Sequence, residues 1–297
     1  MDWDKLRIFH TVALAGSFTR AAEQLNLSQS AISRQVNGLE ESLGVPLFYR
    51  HARGLVMTEQ GELLFESVRE VFSKLAMTEA LLNESQGHPR GPLKITTSIA
   101  FGSMWLAPLL GEFLELYPHI RVNLILRDDE PDLNMREADI SIPSVPPTQP
   151  DMVAVPLPPY RLRIYGSRPY FKKFGVPVKP QDLDNHRLIA FGDEISHRLN
   201  KVNWILHAGT RRGQSREPYL IVNNAYAILQ CVKAGLGIAG MHKYILDKDD
   251  DLIEILPELE GAMVQRFIVY PEQLRNSKRI IAFRQFIERK ALEHQDF

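Results

Sequence analysis

Apolar positions in the first sixty residues recur at helical spacing and then at strand spacing. Across Trp3 to Ala15, Leu6, Phe9 and Val12 or Ala13 share one face, and Gly16 supplies a stop. Thr19 stands where the cap of a short second helix is expected, with Ala21, Ala22 and Leu25 facing inward. Asn26 and Leu27 make a tight turn, and Ser28 reads as the N-cap of a third helix from Gln29 to Leu43, closed by Gly44. In that helix Ile32, Val36, Leu39 and Leu43 form one apolar stripe. The other face carries Gln29, Ser30, Ser33, Arg34 and Asn37, donors and acceptors of the kind that read base edges and hold phosphates. Any solvated helix surface has a similar composition, so this helix alone leaves both readings open. Leu47–Arg50 and Leu55–Thr58 alternate as two short strands around the tip His51-Ala52-Arg53-Gly54. A hairpin with a basic tip has the form of a wing and offers Arg50 and Arg53 to a DNA backbone or minor groove. The pattern predicts a winged helix-turn-helix over residues 1–58, with the helix-turn-helix at about 18–37, and Thr19 and Arg20 join the candidate DNA contacts.

Residues 58–86 contain no proline, and Leu64, Val68, Val71, Leu75, Thr78 and Leu82 alternate steps of four and three. That heptad seam pairs helices side by side. About 28 residues at 1.5 Å rise span about 42 Å, longer than a small winged domain needs. Gly87-His88-Pro89-Arg90-Gly91-Pro92 then marks a hinge over 87–92.

From Leu93 strands and helices alternate. Leu93–Thr97, Ile120–Leu126 and Ala138–Ile142 read as strands, and Ser103 to Tyr117 as a helix. Seven of the 19 prolines fall within residues 143–159, which suits a stiff crossover better than a packed element. Further strands are expected near Arg161–Tyr165, Leu188–Phe191, Tyr219–Val222 and Gln265–Tyr270. Helices are expected at Ala225–Ala234 and Ile280–Leu292, the last with Ile280, Phe283, Ile287 and Leu292 among its apolar positions. This is the pattern of an α/β domain with a largely parallel sheet, in which ligands sit beyond strand ends at helix N-termini. Ser98 through Ser103 and Asn223-Asn224-Ala225 are the two places that fit, and helix N-termini there favour an anionic group. Plain capping by Ser98, Ser103, Asn223 and Asn224 explains the same residues equally well.

Composition narrows the picture. The 297 residues suggest roughly two domains, and 44 % apolar content excludes a disordered chain. The 35 Lys and Arg against 36 Asp and Glu leave a net charge of −1, which excludes a globally basic nucleic-acid binder but not a locally basic surface. A single cysteine, Cys231, excludes an intrachain disulfide and any multi-cysteine zinc site. The acidic start lacks a signal-peptide layout, and no stretch is expected to approach the about 20 apolar residues of a membrane span. A cytoplasmic protein with no membrane partner is the expectation.

The segments Phe18–Leu25, Leu27–Val36 and Leu39–Arg50, continuing without a gap through Thr58-Glu59-Gln60-Gly61, resemble the LysR-type transcriptional regulators, most closely the branch of glycine-cleavage activators and AmpR-like proteins. The resemblance implies a winged helix-turn-helix that binds an interrupted palindrome of double-stranded DNA as a homodimer or homotetramer. Gln29, Ser30, Ser33, Arg34 and the wing Arg53 match its usual DNA contacts. It also implies a dimerising helix over 58–86 and contact with RNA polymerase. The effector domain would span 93–297, two-lobed and similar to periplasmic binding proteins, with lobe I at about 93–160 and 267–297 and lobe II at about 161–266. A small effector would lie between the lobes, at positions corresponding to Ser98, Ile99, Ala100, Ser103, Ser141, Asn223 and Asn224. This chain departs from the branch at Pro143-Ser144, where relatives often carry Arg, Phe or Gly, so a relative's ligand does not transfer.

Rival patterns are weaker. Gly235-Leu236-Gly237-Ile238-Ala239-Gly240 matches a dinucleotide fingerprint, but a helical run precedes it where a strand is required, so it reads as a helix end entering a buried strand. No nucleophile elbow, zinc-helix or phosphate-loop motif appears, so no catalytic residue, metal or cofactor is assigned. Asp249-Asp250-Asp251 reads as a solvated loop. Cys231 reads as an inert buried thiol; the alternatives are a redox-responsive regulator acting through an intersubunit disulfide at Cys231 and a small-molecule-binding α/β enzyme.

Overall fold

The computed structural model describes residues 2–51, 54–83, 88–128, 133, 137–192, 202–246 and 251–294. The chain forms two compact units, Met1–Ala80 and Leu81–Phe297.

In the first unit, α1 (Trp3–Ala15), α2 (Phe18–Leu25) and α3 (Gln29–Leu43) precede the strands β1 (Phe48–His51) and β2 (Gly54–Met57). Ser17, rather than Thr19, caps α2: its hydroxyl accepts the Arg20 N–H, because Phe18 is already helical. Asn26 ends α2 in the left-handed conformation at φ 52°, one of few non-glycine residues suited to it. Ser28 caps α3 by accepting the Ala31 N–H, and Gly44 closes it at φ 73°. Ile32, Val36 and Leu39 are buried against Phe9, Val12 and Ala21, each large side chain contributing roughly 1.5–3 kcal/mol. β1 and β2 pair antiparallel from Phe48↔Met57 to His51↔Gly54. Glu40 fastens this hairpin to α3 by accepting the Leu47 and Phe48 N–H groups. From the hairpin the chain enters α4 (Glu59–Asn83).

The second unit holds two five-stranded sheets. The first is built from β3 (Gly91–Thr97), β4 (Ile120–Leu126), β5 (Ile140–Ile142), β6 (Met152–Pro156) and β14 (Phe267–Pro271), in the order β4-β3-β5-β14-β6. The second is built from β8 (Arg163–Ser167), β9 (Leu188–Phe191), β10 (Leu220–Val222), β11 (Ile238–Met241) and β12 (Leu252–Ile255), in the order β10-β9-β11-β8-β12. Between them run two crossings, β7 (Tyr160–Arg161) and β13 (Met263–Val264), hydrogen-bonded to each other. Each sheet is mixed, not largely parallel. β3, β4 and β5 are parallel while β14 runs against β5 and β6; β9, β10 and β11 are parallel while β8 runs against β11 and β12. Each crossing returns an antiparallel strand, which needs no helical connection. The proline-rich stretch is correspondingly more than a crossover, since β6 pairs with all five residues of β14.

The helix after β3 begins earlier than its spacing suggests. It runs as α5 (Ile99–Phe101), a π-helical stretch (Gly102–Leu106) and α6 (Ala107–Leu116); Gly102 takes ordinary helical angles, and its lack of a side chain lets the helix lie close to Leu126 and Thr97. This run, Ile99–Leu116, is also long and apolar enough to cross a membrane, contrary to expectation. Here it is a core helix: Phe101, Trp105, Leu106 and Phe113 are buried. Among the described residues three further α-helices follow: α7 (Arg168–Phe174), α8 (Ala225–Lys233) and α9 (Lys278–Glu293). α9 packs Phe283 and Phe286 on Phe113 with ring centroids 5.3 Å apart, while Leu292 is turned outward at 55 % exposure.

Candidate functional site

On α3 the residues Gln29, Ser30 and Arg34 are exposed, and Ser33 and Asn37 are half-buried on the same side. The spacing of these five residues puts them on one face, opposite the Ile32–Val36–Leu39 stripe. Thr19 and Arg20 on α2 are exposed too. Arg20 and Arg34 have no carboxylate partner among the described residues, so their charge is open to a phosphate or a base edge. Ser30 shares a hydrogen bond of 3.1 Å with Ser28, which ties the first turn of the helix to its cap. Arg53 lies outside the described residues, and so does the Arg50 side chain.

In the second unit a cavity of about 840 Å³ opens between the two five-stranded sheets. Ser98, Ala100, Ser141 and Asn223 are in its wall, whereas Ile99, Ser103 and Asn224 are not. Ser103 sits exposed in the π-helical stretch, because the helix starts before it. The Ile99 N–H donates to Asp128 Oδ1 at 3.1 Å, and Asn224, the cap of α8, donates through Nδ2 to Asp128 Oδ2 at 2.8 Å. One carboxylate thus bridges the first amide of α5 and the cap side chain of α8. Pro143 and Ser144 also line the cavity.

No signal in the sequence marks one further part of the wall. There Tyr160, His242, Tyr244 and Arg266 line the wall. His242 Nδ1 accepts the Tyr244 N–H at 2.9 Å, and its ring stands 4.2 Å from that of Tyr160. Burial, with Arg266 and Lys243 adding to it, pushes the His242 imidazole down to about 3, so it is neutral. Burial likewise drives the Tyr244 hydroxyl above the usual phenol range. The Arg266 guanidinium, only 5 % exposed, stacks on Phe101 at 4.1 Å and donates from Nη2 to Tyr244 Oη at 3.0 Å.

Other candidates resolve simply. The glycine-rich run after α8 leads straight into β11, Ile238–Met241, as its reading as a helix end entering a strand requires. Asp251 pairs with Arg168 at 3.5 Å, and Asp249 and Asp250 lie outside the described residues. Cys231 is half-buried on α8, not sealed in the core. No cluster of three metal-ligating side chains occurs among the described residues.

Residues 3–62 match the bacterial regulatory helix-turn-helix protein, lysR family, and residues 86–291 match the LysR substrate binding domain. The HTH-type transcriptional regulator CrgA of Neisseria meningitidis serogroup C is 30 % identical over 86 % of this chain and 84 % of its own length. The solved structure of CrgA superposes with TM-score 0.62, covering 98 % of this chain and 99 % of that one. The glycine cleavage system transcriptional activator of Escherichia coli K12 is 28 % identical over 98 % of this chain and 94 % of its own. In fold, the chain also matches full-length CbnR complexed with its target DNA, at TM-score 0.66 and 22 % identity over 98 % of this chain and 100 % of that one. The chain belongs to the LysR family: it is a DNA-binding transcriptional regulator, not an enzyme, with a helix-turn-helix followed by a two-lobed α/β effector-binding domain.

Proposed function

We propose that the chain binds an interrupted palindrome as a homodimer or homotetramer, with the polar side of α3 in the major groove and a small effector in the cavity as its control. The observation that carries this reading is the exposed α3 row, in which Arg34 has no carboxylate partner among the described residues. The outer face of α4 supports pairing with a second copy: Val71 is 44 % exposed and Leu75 51 %, an unusual outlay of apolar surface for a helix that stays alone. Two paired α4 helices hold two reading helices at fixed separation, which is how a symmetric operator is recognised.

An effector between the sheets touches both lobes and therefore has different affinity for their open and closed arrangements. That difference shifts the population and with it the spacing of the reading helices, the bend of the operator and the contact with RNA polymerase. The test of the DNA half is a gel-shift titration of Arg34→Ala on the operator. A base contact made in two places predicts a loss of about 1–3 kcal/mol, that is roughly 5- to 150-fold in affinity. Undiminished affinity would overturn the assignment of the reading face.

A further inference from the structure

Among the described residues, the cavity wall carries one cation that no carboxylate neutralises. Of its ionisable wall residues, Arg127 pairs with Glu137 at 3.0 Å, and Asp128 is held by Ile99 and Asn224. His242 is neutral. Arg266 alone has no carboxylate partner among the described residues; its Nε and Nη1 are buried with no hydrogen-bond partner. An isolated buried cation is expensive, and cation–π contact with Phe101 offsets only part of that cost. A second orphan faces the same space: Thr96 Oγ1, buried without a partner, in register beside Ser141 on β5. The rest of the lining is mainly apolar, including Ile142, Leu162, Ile189 and Val264.

Resting on the effector reading above, we propose that Arg266 is the anion anchor of the cavity and that the effector is a compact monocarboxylate with an apolar or aromatic body. A single unpaired cation matches one negative charge, and a planar guanidinium offers a fork that fits the two oxygens of a carboxylate. The place matters as much as the charge. Arg266 stands in the crossing between β13 and β14, and its guanidinium is flanked by Phe101 from the first sheet's helix, Tyr160 from the other crossing and Tyr244 from the second lobe. A carboxylate seated there engages both lobes and the strands that join them.

The experiment is thermal unfolding of the full-length protein at pH 7.5 with benzoate, phenylacetate and hexanoate, each beside its neutral amide. At least one acid should raise the wild-type midpoint by several degrees while its amide does not, since a ligand bound only by the folded state stabilises it. Arg266→Gln should weaken that acid at least tenfold, and Arg266→Lys, which keeps the charge and loses the fork, should fall between. If no acid shifts the wild type, or if Arg266→Gln or Arg266→Lys responds as the wild type does, the proposal is overturned. Equal shifts by acid and amide, lost in the cavity-filling Ser144→Trp, would overturn the charge assignment and leave the effector cavity standing.

Discussion

His242 holds a neutral ring beside a buried guanidinium, and its energetics follow from that. Its folded pKa of about 3 lies below the about 6.5 of a free imidazole, so on acidification the unfolded chain takes up the proton first. The contribution is complete above about pH 6.5 and is lost as pH falls from there toward about 3, at up to roughly 1.4 kcal/mol per pH unit. His10, stacked on Phe65 and Phe72, is also lowered by burial and acts in the same sense. Urea unfolding of His242→Phe should therefore show a flatter decline than wild type between pH 6.5 and 4.5; parallel curves would refute the buried neutral imidazole. At this scale the sequence discloses residues that punctuate it. Ser98 is legible because it stands between a strand and its helix, Ser141 only through the family resemblance, and Gln29 to Asn37 because their spacing is helical. Arg266 is not, since a lone arginine between two strands acquires its role only when Phe101, Tyr160 and Tyr244 fold around it.

Among the elements, α3 is the most completely legible, because cap, stripe and stop are all local. Ser28→Ala removes the acceptor for the Ala31 N–H and the partner of Ser30. It should cost about 1 kcal/mol in urea unfolding followed by circular dichroism; no loss would mean that the cap is dispensable. α4 is legible in outline only. Its heptad positions serve two ends: Leu64 and Val68 pack into the first unit, while Val71, Leu75 and Thr78 face outward, and the Leu82 side chain lies outside the described residues. Periodicity marks a stripe without saying what covers it. The doubly substituted Val71→Asp, Leu75→Asp protein should run as a monomer in light scattering and bind its operator more weakly; a retained dimer would move the pairing face elsewhere. The helix at Ile99–Leu116 misleads because Ser103 resembles a cap, whereas Gly102 lets the chain stay helical through it.

For the whole molecule, what the pattern leaves open is connectivity. Alternating strands and helices indicate an α/β domain, but they do not reveal that β14 returns to run against β5 and β6. The Asp128 bridge is a contact of the same long-range kind, joining the strand end after β4 to the cap of α8. Asp128→Ala should speed hydrogen exchange at the Ile99 amide severalfold, because that donor loses its acceptor; unchanged exchange would show that another group holds it. The return of β14 and α9 to the first sheet also has a consequence in time. Synthesis proceeds from the N-terminus, and α3 is complete by Leu43, whereas Val269, Phe283 and Phe286, which finish the first lobe, are made long after it. A premature stop codon between the end of α4 and β14 leaves a finished, paired reading helix attached to a regulator that cannot close, so nonsense alleles in that stretch should yield uncontrolled operator occupancy more readily than simple loss.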